Sequence, residues 1–329
     1  MLEVAAAAGV SRTTVSNVMR GLSTVAPDVR ARVLAQAEAL GYIYNRGAAN
    51  LRTKQSNLVG LVIPDIGNPF IAQAVRGAQA ALSERGYLVT TIETADDVAR
   101  QSLVLRSLAE HRVDGFILIP AIDTDVQQLA LDLGGLPTVA MNRDLGLADA
   151  GYRGPDELAV ARAGARHLID VHGSGSIGYF GGPEAAGPRR ERVAEYQRLA
   201  GEAGVEFSAA WSSPCEASAA RAYELGRELL ATSRPPRGIQ CHSDAIAFGL
   251  LRAFAEADIG SRECAVIGCD DLPDSAYFNP GVTSIAVDSD LIGRSAAEEL
   301  LARLGEQTER SAIPAPHLVV RESCGCVRL

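Results

Sequence analysis

A group of polar side chains near the amino terminus has the residue types that read base edges and phosphates in DNA. Its members are Arg12, Thr13, Ser16 and Asn17. At helical spacing these side chains share the outward face of one short helix, which is the arrangement of a recognition helix in the major groove. The pattern therefore predicts a DNA-reading surface.

Two helices and a tight turn must position this surface. The alanine-rich residues 4–8 predict a first helix, Gly9 permits a tight turn, and Ser11 is a residue type that caps a second helix. Val10 and Val15 are expected to face inward, away from the polar side chains. The segment predicts a helix-turn-helix, although by itself it also fits an ordinary helical hairpin.

A third helix is expected to complete a small headpiece. Pro27 suits the first position of a helix, apolar residues follow at helical spacing, and Gly41 ends the pattern. Three short helices within residues 1–44 would share one small core. Residues 45–56 follow as a connector too short to form a stable helix alone in water.

The charge of the chain is unevenly distributed. The 329 residues carry a net charge of −9, yet residues 1–56 hold seven basic and three acidic side chains, which gives +4 there and −13 elsewhere. A basic headpiece can neutralise phosphates, whereas an acidic remainder would be repelled by them. DNA contact is therefore expected at the amino-terminal part only.

Stretches along almost the whole chain resemble the LacI/GalR family of transcriptional regulators. They are AAAAGVSRTTVSNVMRG, VAPDVRARVLAQAEALGY, NRGAANLRT, NLVGLVIPDIGNPF, VDGFILIP, GYFGGP, CHSDAIAFGLLRAF, VIGCDDLPDSAYFNPGVTSI and LVVRES, in this order. The resemblance implies a DNA-binding headpiece (1–44), a hinge helix or linker (45–56) and an effector-binding core (57–329). It also implies a regulator, most often a repressor, that a small molecule controls.

On the DNA side, the resemblance assigns contacts to the second helix and to the hinge. The predicted DNA-binding residues are Ser11, Arg12, Thr13, Thr14, Ser16, Asn17, Arg20, Asn50, Leu51 and Arg52. Leu51 matches the family's hinge leucine, which enters the minor groove from each of two subunits. Because each of two subunits contributes one such leucine, the resemblance implies a homodimer on a near-palindromic operator. Asn17 stands where the family usually has arginine, and this change favours adenine or a phosphate as its partner.

From Asn57 onward, short apolar strands alternate with amphipathic helices, a pattern typical of parallel sheets with crossover helices. The predicted strands are Leu58 to Ile63, Leu88 to Glu93, Gly115 to Ile119, Thr138 to Met141, Ser176 to Phe180, Gly238 to Cys241 and Ala265 to Gly268. By resemblance, these α/β units form a two-lobed periplasmic-binding-protein-like core with three crossovers. The expected N-lobe covers about 57–154 and 286–316, and the C-lobe about 155–285 and 317–329.

Ligands of open parallel sheets bind beyond the carboxyl ends of the strands, so a cleft between the lobes is the expected pocket. The predicted effector-binding residues are Asn68, Phe70, Asn142, Arg143, Arg192, Ser243 and Asp270. By resemblance, Asp270 accepts from ligand hydroxyls and Arg192 donates to them. Local capping roles remain open for Asn68 and Ser243, and a purine remains an alternative to a sugar.

Several other classes of protein fit the sequence poorly. A solute-binding protein shares the core fold but needs a signal sequence, and residues 1–20 lack that pattern. No phosphate-binding or dinucleotide fingerprint is found, so neither an enzyme nor a cofactor is expected. The first helix lacks the family's usual cap, so either it frays or the native start lies upstream. A cytoplasmic location is expected, since no apolar stretch is long enough to span a membrane.

The cysteines and histidines suggest no metal site. The six cysteines are scattered and are expected to be reduced thiols. Cys324 and Cys326 are the one close pair, suited to redox or metal chemistry, but no matching ligand pair lies near them in the sequence. The five histidines, His111, His167, His172, His242 and His317, show no recognised metal spacing.

Overall fold

The computed structural model describes residues 1–22, 24–44, 55–144, 146, 149–173 and 175–326. The chain divides into two compact units, Met1–Ser56 and Asn57–Leu329. Within the described residues, no helix is long and apolar enough to cross a membrane.

In its described residues, 1–22, 24–44 and 55–56, the first unit contains three helices around a small apolar core. These are α1 (Leu2–Ala8), α2 (Arg12–Met19) and α3 (Pro27–Ala39). Gly9 ends α1 with a left-handed φ of 65°, a conformation that glycine adopts without steric cost, and Pro27 occupies the first turn of α3. The buried core residues are Val4, Ala5, Ala8, Val15, Val18, Val33 and Ala37. The predicted helix-turn-helix and third helix are present.

The described part of the second unit contains eleven strands, and all seven predicted strands are among them. In chain order they are β1 (Leu58–Ile63), β2 (Leu88–Glu93), β3 (Gly115–Leu118), β4 (Thr138–Met141), β5 (Gly151–Arg153), β6 (Ser176–Phe180), β7 (Glu206–Phe207), β8 (Gly238–Cys241), β9 (Ala265–Asp270), β10 (Thr283–Ala286) and β11 (His317–Val319). They form a five-stranded sheet of order β2-β1-β3-β4-β5 and a six-stranded sheet of order β11-β10-β9-β8-β6-β7.

Among the residues that the structure describes, eight helices accompany these two sheets. They are α4 (Pro69–Glu84), α5 (Val98–Glu110), α6 (Val126–Leu133), α7 (Glu157–Arg166), α8 (Gly187–Ala203), α9 (Ala219–Leu230), α10 (Asp244–Glu256) and α11 (Ser289–Arg303). A π-helical turn, His167–Val171, extends α7, and short 3₁₀ helices occupy Ala210–Ser212 and Pro273–Ala276. Strands and helices alternate, as the sequence pattern predicts.

Both sheets are parallel with one exception among the described strands. β11 runs antiparallel to β10, with Ile285 opposite Leu318, at one edge of the otherwise parallel second sheet. A strand that returns from a long connection to the sheet edge can pair in either direction, because no crossover helix fixes its sense. The second sheet is therefore mixed.

The chain returns to the first sheet through α11, which packs closely against α4. A Cβ at Gly77 of α4 would lie 1.9 Å from the carbonyl oxygen of Asp290, and one at Gly293 of α11 would lie 1.8 Å from that of Ala74. Each helix therefore needs a glycine where it faces the other. Residues remote in the sequence thus complete the first layer.

Candidate functional site

Ser11 caps the amino terminus of the recognition helix α2. Its Oγ accepts a hydrogen bond from the Thr14 backbone N–H at 3.0 Å and lies 2.9 Å from Thr14 Oγ1. Both atoms belong to the first turn, where backbone N–H groups lack helical partners. The hydroxyl groups of these two predicted DNA-binding residues are therefore engaged with each other in the structure.

The exposed face of α2 carries most of the predicted base-reading residues. Arg12, Thr13 and Arg20 are exposed, and Asn17 is half-buried. Ser16 differs from the expectation that it lies on the outer surface, because it is only 8% exposed. In a helix that turns 100° per residue, Ser16 borders the inward face formed by Val15 and its neighbours, so its short side chain is covered.

The predicted hinge contacts, Asn50, Leu51 and Arg52, lie outside the described residues. Their assignment stays a prediction from the sequence.

The second unit contains a cavity of about 450 Å³, which we call the effector cleft. Residues directly after β1, β4 and β8 line it, as do the last residues of β2 and β9, so it lies at the carboxyl ends of both sheets. All seven residues predicted to bind an effector line this cleft. They are Asn68, Phe70, Asn142, Arg143, Arg192, Ser243 and Asp270.

Asn68 and Ser243 also cap helices, which is the alternative role the sequence left open. Asn68 Oδ1 accepts from the backbone N–H of Phe70 at 3.0 Å, at the start of α4. Ser243 Oγ accepts from the Ile246 N–H at 3.3 Å, at the start of α10. Capping uses one acceptor atom in each case, and it fixes both side chains at the wall of the cleft.

The guanidinium of Arg143 is held by other groups of the same lobe. It forms a two-pronged ion pair with Asp96, with 3.0 Å between Nη2 and Oδ2, and it donates to the Pro120 carbonyl at 2.8 Å. Asn142, beside it, has a left-handed φ of 61°, which asparagine tolerates better than most residues. This side of the cleft is therefore pre-organised.

Arg192 is buried in the opposite wall and is also paired. Its Nε donates to Glu157 Oε2 at 2.5 Å, and its Nη1 donates to the His242 carbonyl at 3.1 Å. Burial raises the pKa of Glu157 even though Arg192 lies beside it, because a carboxylate loses water when it is enclosed. The Arg192 charge is thus largely balanced within the protein.

Asp270 ends β9 in an unusual backbone conformation, with a φ of 109°. Burial and the neighbouring Asp244 raise its pKa well above the usual value. A strained backbone and a perturbed carboxyl at one position often coincide with a functional site.

Asp244, which the sequence analysis did not select, organises the chain around Asp270. Its carboxylate accepts from Ser275 Oγ and Ser284 Oγ at 2.6 Å each and from the Leu272 N–H at 2.8 Å. Despite these bonds, burial raises the pKa of Asp244 to about 6. One carboxylate thus joins α10, the loop after β9 and the strand β10.

Sequence reasoning missed six polar residues that line the effector cleft: Asp65, Glu93, Asp96, Glu216, Ser218 and His242. Glu93 ends β2 and His242 directly follows β8, so the rule that ligands bind at the carboxyl ends of strands would have found both. Burial, followed by the Arg192 charge, lowers the pKa of His242 well below the usual value, so its imidazole is neutral.

The structure also corrects the view that no ligand pair accompanies Cys324 and Cys326. His167 and His172 lie beside these thiols, and the four potential ligand atoms are all within 4.8 Å of one another. His167 and His172 lie at the π-helical turn and Cys324 and Cys326 lie in the tail after β11, and none of the four lines the effector cleft.

Two family models match the chain. Residues 1–45 match the model described as bacterial regulatory proteins, lacI family. Residues 165–324 match a periplasmic binding protein-like domain.

Curated relatives are similar over almost their whole length. The HTH-type transcriptional regulator CelR of Thermobifida fusca is 31% identical over 97% of this chain and 96% of the relative. The ribose operon repressor of Escherichia coli K12 is 28% identical over 94% of each chain. The HTH-type transcriptional repressor PurR of Photobacterium profundum is 28% identical over 98% of this chain and 97% of the relative.

Solved structures share the fold over 98% of both chains. A complex of the regulator CelR with cellobiose aligns with a TM-score of 0.73 at 30% identity. A Lac repressor dimer bound to operator and the anti-inducer ONPF aligns with a TM-score of 0.85 at 25% identity.

Proposed function

This chain belongs to the LacI family of bacterial regulatory proteins, and we propose that its effector is a neutral polyhydroxylated compound, a sugar or sugar derivative, bound in the effector cleft. The protein is a DNA-binding transcriptional regulator that a small molecule controls, and it is not an enzyme. The relatives include named repressors, which supports repression as its output.

The charge balance of the cleft carries the proposal about the effector. Its lining includes the carboxylates of Asp65, Glu93, Asp96 and Glu216, and the carboxyl group of Asp270, whose pKa is raised by burial. Both lining guanidiniums, those of Arg143 and Arg192, already have carboxylate partners. An anionic ligand would therefore be repelled, whereas hydroxyl groups can donate to these carboxylates.

Two further observations favour a sugar. Phe70 lines the cleft and offers a ring against which the apolar face of a sugar can pack. Among the relatives, the CelR structure is a complex with cellobiose, and another relative is named for the ribose operon.

On the DNA side, we propose a homodimer whose two α2 helices read half-sites of a near-palindromic operator. The exposed Arg12 and Thr13 would contact base edges, with Thr14, Ser16, Asn17 and Arg20 closer to the phosphates. Residues 50–52 would fold on DNA and insert Leu51 into the minor groove. The Lac repressor dimer on its operator supports this arrangement. Selection of duplexes from a random DNA pool tests it, and a selected pool without dyad symmetry would contradict it.

A thermal-shift panel on the full-length protein tests the effector class. We expect a neutral sugar to raise the unfolding temperature with increasing saturation, and phosphorylated sugars and free purines to leave it unchanged. Asp270→Asn should abolish the shift, since it removes a cleft carboxyl group. Asp274→Asn, an exposed neighbour that does not line the cleft, should keep it. Stabilisation by a purine or a phosphate ester instead of a sugar would overturn the proposal.

A further inference from the structure

The carboxyl-terminal tail and the π-helical turn after α7 bring four metal-binding side chains together. The side chains are His167, His172, Cys324 and Cys326. From their geometry we propose that this group, which we call the tail cluster, binds one Zn²⁺ ion in a closed tetrahedral Cys₂His₂ site.

Three of the four ligand atoms in the tail cluster lie at distances close to those of a tetrahedral zinc site. Zn–N bonds of about 2.05 Å and Zn–S bonds of about 2.3 Å require about 3.3 Å between two nitrogens and about 3.6 Å between nitrogen and sulfur. The Nε2 atoms of His167 and His172 are 3.2 Å apart, and Cys326 Sγ is 3.4 Å from each of them. Three ligand atoms are therefore already placed at nearly the edge lengths of one coordination tetrahedron.

The π-helical turn explains how two histidines five residues apart reach the same point. In an α-helix, side chains five apart point about 140° away from each other. The helix changes to π-helical hydrogen bonding over His167–Val171, and residues five apart then lie one above the other. This is why the H-x₄-H spacing resembles no α-helical metal motif. The π-helical turn brings both histidines to the same side of the helix.

The cysteine pair is held in place by the strands of the second sheet. Ser323 Oγ donates to the Val266 carbonyl at 2.7 Å and accepts from the Thr283 N–H at 2.9 Å, which fixes the tail directly before Cys324. Gly325 has a left-handed φ of 74°, and a Cβ there would lie 2.6 Å from the Ser261 carbonyl oxygen. The C-G-C turn is therefore positioned by packing before a metal binds.

Burial and chemistry favour a structural metal ion. Cys324 is fully buried and the other three ligands are half-buried, so a bound ion would be largely shielded from water. An S₂N₂ tetrahedron with no open position is typical of zinc in a structural role.

The position of the tail cluster separates its role from that of the effector cleft. His172 lies four residues before β6, at the amino end of that strand, whereas the cleft lies at its carboxyl end. Zinc would clamp the tail to the end of α7 and so stabilise the second sheet. The inference does not depend on the identity of the effector or the operator.

Metal analysis of the full-length protein tests the proposal. After reduction, incubation with zinc and desalting, we expect one zinc per chain by elemental analysis. Cobalt in place of zinc should give the visible bands of tetrahedral cobalt and a sulfur-to-metal charge-transfer band. Cys326→Ser and His172→Gln should lose zinc, whereas His111→Gln, an exposed histidine on another surface, should retain it.

The unfolding temperatures of the same protein preparations show whether the variants fold. Zinc should raise the unfolding temperature of the wild type and of His111→Gln, but not that of Cys326→Ser. If Cys326→Ser fails to fold, chelation of zinc from the wild type gives the same comparison. A reduced wild-type protein that retains no zinc would overturn the inference. So would variants of the tail cluster that bind as much zinc as His111→Gln does, or a cobalt spectrum typical of octahedral coordination without the sulfur band.

Discussion

The buried ion pair between Arg192 and Glu157 gives the sharpest test of the energetics of the effector cleft. The side chains of Arg192 and Glu157 are only 7% and 6% exposed, so neither charge has enough water to replace its partner. Glu157 Oε1 has no hydrogen-bond partner among the described residues. Replacing Arg192 with methionine should therefore leave one buried carboxylate that must either ionise alone or bind a proton.

The cost of protonating Glu157 determines how much unfolding free energy the Arg192→Met variant loses. A glutamate with an unfolded pKa of about 4.3 costs about 1.4 kcal/mol per pH unit to keep protonated above that pKa, which is about 4 kcal/mol at pH 7 and about 2 kcal/mol at pH 5.5. The first figure agrees with the ~3–5 kcal/mol found when one partner of a buried pair is removed. Because Glu157 would have a raised folded pKa, the loss should grow as pH rises.

Urea unfolding followed by fluorescence is a suitable assay, since Trp211 is the single tryptophan and is fully buried in the second unit. We expect Arg192→Met to lose about 4 kcal/mol of unfolding free energy at pH 7 and about half of that at pH 5.5. Arg190→Met, exposed on the same helix, should change it by less than about 0.5 kcal/mol. Adding Glu157→Gln to Arg192→Met should recover most of the loss. A loss below about 1 kcal/mol at pH 7, independent of pH, would refute the reasoning, because solvated pairs behave in that way.

Three further predictions follow from other parts of the chain. Since the pKa of Asp244 in the folded protein is raised to about 6, its contribution to stability should be lost as the pH rises from about 4 to about 6. Asp244→Asn should therefore flatten the pH dependence of the unfolding temperature over this range. Identical profiles for both proteins would contradict this. Ser11→Ala should destabilise the headpiece by about 1 kcal/mol, measured by thermal circular dichroism, and an unchanged melting curve would show that the cap contributes nothing. Leu51→Ala should lose specific operator affinity in mobility-shift titrations while retaining weak, salt-sensitive binding, and unchanged specific affinity would disprove the hinge assignment.

Local sequence patterns were sufficient for much of this fold. The β1 and β3 strands are continuous apolar runs, and Ser11 and Pro27 mark helix starts, so short-range chemistry predicted them. The edge strands β7 and β11, of two and three residues, carry too little pattern to be found. Their existence depends on the neighbouring strand that they pair with.

The candidate sites show the same division between local and distant information. Phe70 and Asp270 were predicted because family motifs surround them, whereas Glu93 was not, although it lines the same cleft. The tail cluster was missed because its members come from two distant segments, and because the π turn changes the face on which His172 lies. Sequence spacing alone contains no sign of that change.

The close crossing of α4 and α11 has a consequence for biosynthesis. The face of α4 around Gly77 is covered by a helix that the ribosome makes about two hundred residues later, which takes roughly ten to forty seconds at ordinary elongation rates. During that interval the nascent first sheet exposes Ala74, Ala78 and other apolar residues that are buried in the finished protein. Until α11 has been made, the amino-terminal layer therefore lacks the helix that covers this face.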